Sequence, residues 1–173
     1  MSLTLQIPFQ AHLPSSRAAL AEYHAEGRYL GLDAGGLPDY IAGLADRTTN
    51  PKPGRVPETV LLGVVNGEYV GRVSLRHRLN AGLEAWGGHI GYEVRPSVRG
   101  RGYGHALLAG MLPHARTLGL ERVLLQGYRK VERPSAPVQE PTGADSKNPD
   151  FIARRSSPEF AVNRILTASS TLR

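Results

Sequence analysis

An α+β fold, with a largely antiparallel sheet flanked by helices and an irregular or disordered C-terminal tail, is what this 173-residue sequence predicts. Three observations carry the expectation. Asn66-Gly67 separates two runs of strand-forming residues, the strongest short-range signal for a hairpin. A further strand-like run ends at Arg95-Pro96 and passes through closely spaced glycines into the longest helical stripe of the chain. After Gln126 no helical or strand period persists, and prolines and serines accumulate.

The elements follow in order. Residues 3–8 (LTLQIP) alternate apolar and polar, as a short strand does. Pro14-Ser15-Ser16 offers an N-cap to RAALAEYHAEG, where Ala18, Leu20, Ala21 and Ala25 predict the buried side of a helix ended by Gly27. Pro38 suits the first turn of a second helix, LPDYIAGLADR, with Leu37, Ile41 and Leu44 on one stripe. The proline-rich TTNPKPGRVPE is a loop. Thr59–Val65 and Tyr69–Leu75 flank the Asn66-Gly67 turn as antiparallel strands. Beyond a loop containing Asn80-Ala81-Gly82, His89–Val94 reads as a third strand of that sheet. Residues 102–118 form the longest helix, burying Leu107, Leu108, Met111, Leu112, Ala115 and Leu118, capped by Gly119 and kinked at Pro113. Glu121–Gln126 adds another strand, so residues 1–126 read as one domain and 127–173 as a tail.

Composition narrows the classes. With 40 % hydrophobic and 21 % charged residues the chain can bury a core. It has no cysteine, which excludes a disulfide framework, a zinc finger and a thiol nucleophile. No apolar run approaches the roughly 18 residues of a membrane span. MSLTLQIPFQ lacks the basic and apolar regions of a secretion signal, so a cytoplasmic protein is expected. The net charge of +6 and the pI near 10.0, supplied mostly by arginine, point to a phosphate-bearing partner. The basic residues are scattered, and charge alone does not choose between nucleic acid and a nucleotide cofactor. The absence of a recognition-helix motif and an aromatic content of 6 % speak against nucleic acid.

The chemistry is carried by the run from Gly91 to Gly104, GYEVRPSVRGRGYG: a strand, a glycine-rich turn, then a helix. Gly100, Gly102 and Gly104 let the backbone approach a ligand closely. The first N–H groups of the following helix have no helical partner, which makes an anion site there, and Arg99 and Arg101 add charge that suits phosphate. The loop is therefore expected to grip a pyrophosphate; the bland alternative is an ordinary glycine turn. A dinucleotide fingerprint fails because His105 stands where its third glycine belongs, and no Gly-Lys-Ser/Thr of a P-loop follows.

Arg99-Gly-Arg-Gly102-Tyr-Gly104 resembles the R/Q-x-x-G-x-G/A signature of the GNAT superfamily of acyl-CoA-dependent N-acetyltransferases. The context is similar as well: two N-terminal helices, a hairpin, a strand ending in Val-Arg-Pro, the signature, a long helix and a strand. GGHIGYEVRPSVRGRGYG, with VGRVSLRHRLN upstream, looks like a poorly characterised branch of predicted acetyltransferases. The resemblance covers about residues 1–126 and implies a mixed central sheet, with acetyl-CoA as cosubstrate and an amine of a small molecule or protein as acceptor.

It also implies site residues. The backbone of Arg99, Gly100, Arg101, Gly102, Tyr103, Gly104 and His105 would cradle the pyrophosphate of CoA. Tyr92, Glu93 and Val94, at the end of a strand that splays from its neighbour, would pair with the pantetheine amides, and an N–H near Val94 would hold the developing oxyanion. His89 and Glu93, four residues apart on one strand face, are the candidate catalytic bases. Their alternative is a packed histidine and a solvated carboxylate. Arg76, His77 and Arg78 either contact an acidic part of a substrate or form a plain exposed loop.

After Gln126 the family's usual N-x-x-S helix, its acidic tyrosine and its closing strands are not readable, and Tyr128 stands too early to be that tyrosine. Codons for Lys130–Pro137 read one base later can encode Ser-Asn-Ala-Pro, and those for Thr142–Lys147 read two bases later Asn-Gly-Gly-Gly-Phe-Glu. The tail thus reads as either frameshifted or disordered. Acetyl transfer is the first functional reading, a CoA-binding remnant without activity the second, and a nucleic-acid-binding domain the third. An unfinished sheet edge would invite a homodimer.

Overall fold

The computed structural model describes residues 2–130 and 159–167. In order, these form β1 (Thr4–Gln6), α1 (Leu13–Ala25), α2 (Leu37–Asp46), β2 (Glu58–Val65), β3 (Glu68–Arg76), α3 (Ala81–Ala85), β4 (Ile90–Val94), α4 (Tyr103–Thr117), β5 (Arg122–Lys130) and β6 (Glu159–Thr167). The strands make one sheet in the order β1-β2-β3-β4-β5-β6, antiparallel throughout except for the parallel pair β4–β5.

Helices cover both faces, because strand periodicity sends alternate side chains to each. On one face Leu61, Val73, Leu75, Ile90 and Val123 pack against Leu107, Met111 and Ala115 of α4. On the other, Val60, Leu62, Val64 and Tyr69 meet Ala19 and Tyr23 of α1 and Leu44 of α2. The expected α2 stripe of Leu37, Ile41 and Leu44 is buried in full, and the hairpin turns at Asn66 and Gly67 with both φ positive, at 52° and 81°.

Two local features place the site. In β3, Tyr69 lies opposite Val64 while Gly71 lies opposite Gly63, so Val70 is an extra residue. Such a bulge shifts the alternation by one and brings Tyr69 and Arg72, three positions apart, to the same face. At Gly71 the β3 and β4 backbones come together: a Cβ there would strike the Glu93 carbonyl oxygen and lie 3.2 Å from Val94 Cα.

The structure corrects several expectations. The buried side of α1 is Ser15, Ser16, Ala19, Leu20 and Tyr23, whereas Ala18, Ala21 and Ala25 face solvent. Burying one tyrosine removes far more apolar area than burying alanines, so Tyr23 sets the rotation. Ser15 is no cap; its Oγ accepts from the Tyr69 N–H at 3.0 Å, inside the core. Asn80-Ala81-Gly82 begins the short helix α3, the Asn80 side chain accepting from the Leu83 N–H at 2.9 Å. Leu118 is exposed just past the end of α4, which runs through Pro113 without a break. Finally, the strand pattern does not stop at Gln126: β5 continues to Lys130 and pairs with β6 from Arg122↔Thr167 to Lys130↔Glu159. Backbone pairing can hold a strand whose side chains show no clean period. The remainder of the tail, 131–158 and 168–173, lies outside the described residues, as do the frameshift reading and the missing family pattern.

Candidate active site

β4 is paired along its length on one side and at one position on the other. Leu75 to Gly71 of β3 oppose Ile90 to Val94, whereas β5 meets β4 only at Ile90↔Leu125. The Arg95 N–H donates to the Val70 carbonyl (2.9 Å) and the Arg76 N–H to the His89 carbonyl (2.8 Å), so between these two points Gly91 and Glu93 direct their backbone at β3. Antiparallel alternation then turns the backbone of Tyr92 and Val94 toward β5. Neither has a ladder partner there among the described residues, and only the Val94 carbonyl finds a donor, Arg99 Nε at 3.2 Å. A strand edge left open inside a sheet presents backbone groups that call for polar partners.

The same strand leads into the glycine turn. Gly102 is the N-cap of α4, with φ at 80°, and no side chain caps the helix. A left-handed residue at this point aims the helix start back at β4. The first helical bond runs from the Ala106 N–H to the Gly102 carbonyl, which leaves the N–H groups of Tyr103, Gly104 and His105 without helical acceptors. They stand at the positive end of a 15-residue helix, a natural cradle for an anion. A Cβ on Gly104 would meet Tyr92 Cε2 at 2.9 Å, so the half-exposed Tyr92 ring lies directly against this cradle. Gly100, Arg101 and His105 are exposed around it.

Arg99 departs from its expected role. Its guanidinium forms a fork with Glu26, the residue that caps the C-terminus of α1 (2.5 and 2.8 Å), and Arg99 in turn holds the Glu26 carboxyl below its ordinary pKa. One turn earlier, Glu22 accepts from Arg95 Nε (2.8 Å), the Ser97 N–H (2.9 Å) and the Ser97 hydroxyl (3.0 Å). These two carboxylates, in the last turns of α1 and at its C-cap, thus brace the loop between β4 and α4.

Glu93 points to the face opposite α4. Its carboxylate accepts from Arg28 Nη2, Arg72 Nε and the Tyr29 hydroxyl, each at 2.6 Å. Burial alone would raise its pKa, but Arg72, Tyr29 and Arg28 outweigh that and hold it below the ordinary value. Arg72 gives its other nitrogens to the hydroxyls of Tyr40 and Tyr29, both at 2.7 Å. Tyr29 sits at φ 57°, an uncommon conformation for so bulky a residue, and its ring packs edge-on to Tyr23 at 5.3 Å. These side chains close one end of a cavity of about 420 Å³, solvent at its mouth included, between α1, α2 and the sheet.

His89 lies at the other end of β4 and is not brought to Glu93; four residues of strand separate them by about 13 Å. It ties β4 to β5 where the two begin to part. Its N–H donates to the Leu124 carbonyl (2.7 Å), and its Nδ1 accepts from the Leu124 N–H (3.0 Å). With Nδ1 accepting, the proton of the neutral ring belongs on Nε2. Partial burial and the nearby Arg76 push its pKa down, so the ring is neutral at pH 7. Arg76 itself donates to the carbonyls of Gly87 (3.1 Å) and Gly88 (2.8 Å), and His77 Nε2 lies 2.7 Å from the Thr59 hydroxyl, while Arg78 is exposed.

Sequence reading missed Tyr23, Arg28, Tyr29, Tyr40 and Arg72. One signal was present: an arginine in mid-strand, which demands a buried anion, and Arg72 is directly opposite Glu93 in the β3–β4 register.

The model of the acetyltransferase (GNAT) family matches residues 19–137. Among solved structures, the ribosomal L7/L12 alpha-N-protein acetyltransferase RimL in complex with coenzyme A superposes with a TM-score of 0.54 at 16 % identity, over 73 % of this chain and 71 % of that one. The microcin C7 self-immunity acetyltransferase MccE, in complex with acetyl-CoA and AMP, gives 0.56 at 13 % identity, over 73 % and 70 %. The Salmonella typhimurium enzyme that modifies the N-terminal serine of L7/L12 gives 0.52 at 16 % identity, over 90 % and 79 %. At these identities the likeness is one of fold. No curated protein matches the chain.

Proposed function

The chain belongs to the acetyltransferase (GNAT) family, and from that premise we propose that the open edge of β4 and the turn from Arg99 to His105 together hold acetyl-CoA for transfer to a primary amine of a small molecule or protein. The observation that carries this reading is the juxtaposition of two sets of backbone groups without ladder or helical partners: Tyr92 and Val94 on the β5 side of β4, and Tyr103, Gly104 and His105 at the start of α4. An extended amide chain ending in a pyrophosphate needs both. Acetyl-CoA bound there supplies an activated acetyl thioester open to attack by a neutral amine. The N–H groups of residues 103–105, with Arg101 beside them, take the phosphates, and Tyr92 takes the amides. The Val94 N–H faces the gap and donates to charge that develops on the acyl oxygen.

The candidate bases take different parts. Glu93 is neutralised by two guanidinium groups and a hydroxyl, so it orders the cavity wall beside the acyl position. His89 offers an Nε2–H and acts as a donor at the mouth of the gap. This tautomer is directly testable: two-bond ¹H–¹⁵N correlation spectra will show a neutral ring at pH 7 with Nδ1 unprotonated, and a ring protonated on Nδ1 would remove the Leu124 bond from the account. Because its folded pKa is lowered, His89 adds stability above the unfolded pKa near 6.5, and that stability is lost as pH falls through the folded value.

Transfer is tested with a thiol reagent in the presence of acetyl-CoA and a panel of amines. The chain has no cysteine, so every thiol detected is released CoA. Amine-dependent thiol release establishes the activity; acetyl-CoA binding without release by any amine makes the protein a CoA-binding remnant. Removing one brace of the loop gives a graded effect. Glu22→Ala deletes the acceptor of Ser97 and Arg95 and will weaken acetyl-CoA binding about fivefold in a calorimetric titration, near 1 kcal/mol.

No helix among the described residues is long and apolar enough to cross a membrane. We read the protein as cytoplasmic, and the outer strands β1 and β6 as the edges through which two copies would pair.

A further inference from the structure

We infer that His89 is a positioning residue: its imidazole pins β5 to β4 where the two strands part, and acetyl-CoA binds the gap at full strength only while that pin is closed. This rests on the acetyl-CoA reading of the gap. It gives a different part to a side chain that the sequence offered as a base.

The first observation is where the ring sits. Gly91 to Val94 pair with β3 on one side and have no ladder partner from β5 among the described residues. The last ties to β5 are Ile90↔Leu125 and the bridge of Gly88 to Leu125. At this point the His89 N–H donates to the Leu124 carbonyl (2.7 Å), and the Leu124 N–H donates to His89 Nδ1 (3.0 Å). Both backbone groups of one β5 residue are therefore taken by one β4 residue. The second bond uses a side chain where a ladder uses a backbone carbonyl. A change in the ring can break it with no change in the backbone.

The second is how firmly the chain is held around the ring. Arg76 Nη1 donates to the carbonyls of Gly87 (3.1 Å) and Gly88 (2.8 Å), and the Arg76 N–H to the His89 carbonyl (2.8 Å). Gly88 has φ at 62°, and a Cβ there would strike the Leu124 carbonyl oxygen, so the chain enters β4 by an approach that glycine alone allows. The ring is the movable part of a fixed corner. Walls held at one end keep a gap of defined width, and an extended ligand then loses less in ordering them.

The third is charge. With Nδ1 accepting, the closed pin needs a neutral ring, and protonation would set an N–H against the Leu124 N–H. The charge that reaches the ring is Arg76 of β3, whose Nε lies 3.8 Å from Glu58 of β2, itself paired with Arg47 at 3.2 Å. From β5 the ring meets the Leu124 backbone, and the next residue, Ile90, turns into the apolar cluster under α4. Partial burial and Arg76 both oppose the imidazolium, so the pin is closed at pH 7 and opens in acid.

The test uses His89→Leu and His89→Asn. Leucine removes the acceptor. Asparagine carries Oδ1 on Cγ, where histidine carries Nδ1, and so restores the acceptor without a titrating ring. Amide hydrogen exchange of Leu124, followed by NMR, reads the pin, and calorimetric titration with acetyl-CoA reads the gap. At pH 7 we expect the Leu124 amide of His89→Leu to exchange at least about tenfold faster, and acetyl-CoA to bind that variant about tenfold more weakly. His89→Asn should recover most of both losses. From pH 7 to about 5 the parent chain should lose about fivefold in affinity relative to His89→Asn, since protonation of CoA itself affects both chains alike. This comparison needs no leucine variant and stands even if that variant fails to fold. Parent affinity in His89→Leu, a His89→Asn as weak as His89→Leu, or one pH dependence shared by the parent and His89→Asn overturns the inference and leaves acetyl-CoA binding in place. A parent chain that does not bind acetyl-CoA, while Leu124 exchange responds as expected, overturns the acetyl-CoA reading and the inference with it.

Discussion

Acetyl-CoA will bind the Gly102→Glu variant at least about 100-fold more weakly than the parent chain, a loss of about 2.7 kcal/mol, and the variant will still fold. The two halves of that expectation have separate causes. Gly102 has φ at 80°, and a Cβ there would find nothing within 4 Å, so the fold pays only the strain of a left-handed side-chain residue, about 1–2 kcal/mol. Binding suffers more, because a carboxylate placed at the N-cap stands beside the unpaired N–H groups of Tyr103, Gly104 and His105 and repels the phosphates they would hold. Gly102→Ala separates the two causes, since it brings the strain without the charge and should cost about tenfold. Calorimetric titration reads the affinity and thermal unfolding by circular dichroism reads the fold. Equal affinity in Gly102→Glu and the parent chain would place the pyrophosphate elsewhere.

What could be read from the sequence was what neighbouring residues decide. The hairpin was legible because Asn66-Gly67 satisfies a turn whose demands are local. The α2 stripe and most of the α4 stripe were legible because helical period and burial agree there. The strand–turn–helix from Ile90 to Thr117 was legible because closely spaced glycines interrupt the strand period just before a helical one begins. The rest depends on partners far along the chain. Ser15 looks like a cap until the Tyr69 N–H, 54 residues away, is seen to take it. Arg99 looks free for phosphate until Glu26, 73 residues away, is seen to hold it. His89 and Glu93 read as neighbours on one strand face, yet each is claimed by a different partner, Leu124 for the first and Arg28, Tyr29 and Arg72 for the second. The bulge at Val70 decides which side chains of β3 meet the cavity, and no alternation count reveals a bulge.

Replacing Glu93 by alanine will cost about 3–5 kcal/mol of folding stability in urea titration, the largest single effect expected outside the apolar core. The cost comes less from the lost pair than from what remains. Arg28 is 42 % exposed at its side chain and can turn to water, but Arg72 stays largely buried with only the Tyr29 and Tyr40 hydroxyls for its charge. Glu93→Gln keeps the shape and two acceptor contacts, so it should lose less, about 2–3 kcal/mol. The same cluster fixes a pH dependence. The folded pKa of Glu93 lies below its unfolded value near 4.5, so the unfolded chain binds the proton more readily; the stability is whole above that value and is lost as pH falls through the folded pKa. A general base would instead leave its mark on the reaction. If Glu93 took the proton of the amine, Glu93→Gln would remove the acid limb of the kcat/KM profile. As a positioning residue it will lower kcat/KM and leave that limb where it was, because the group that titrates along it is the amine. Loss of the limb together with unchanged stability in Glu93→Gln would return Glu93 to the catalytic role its place on β4 first suggested.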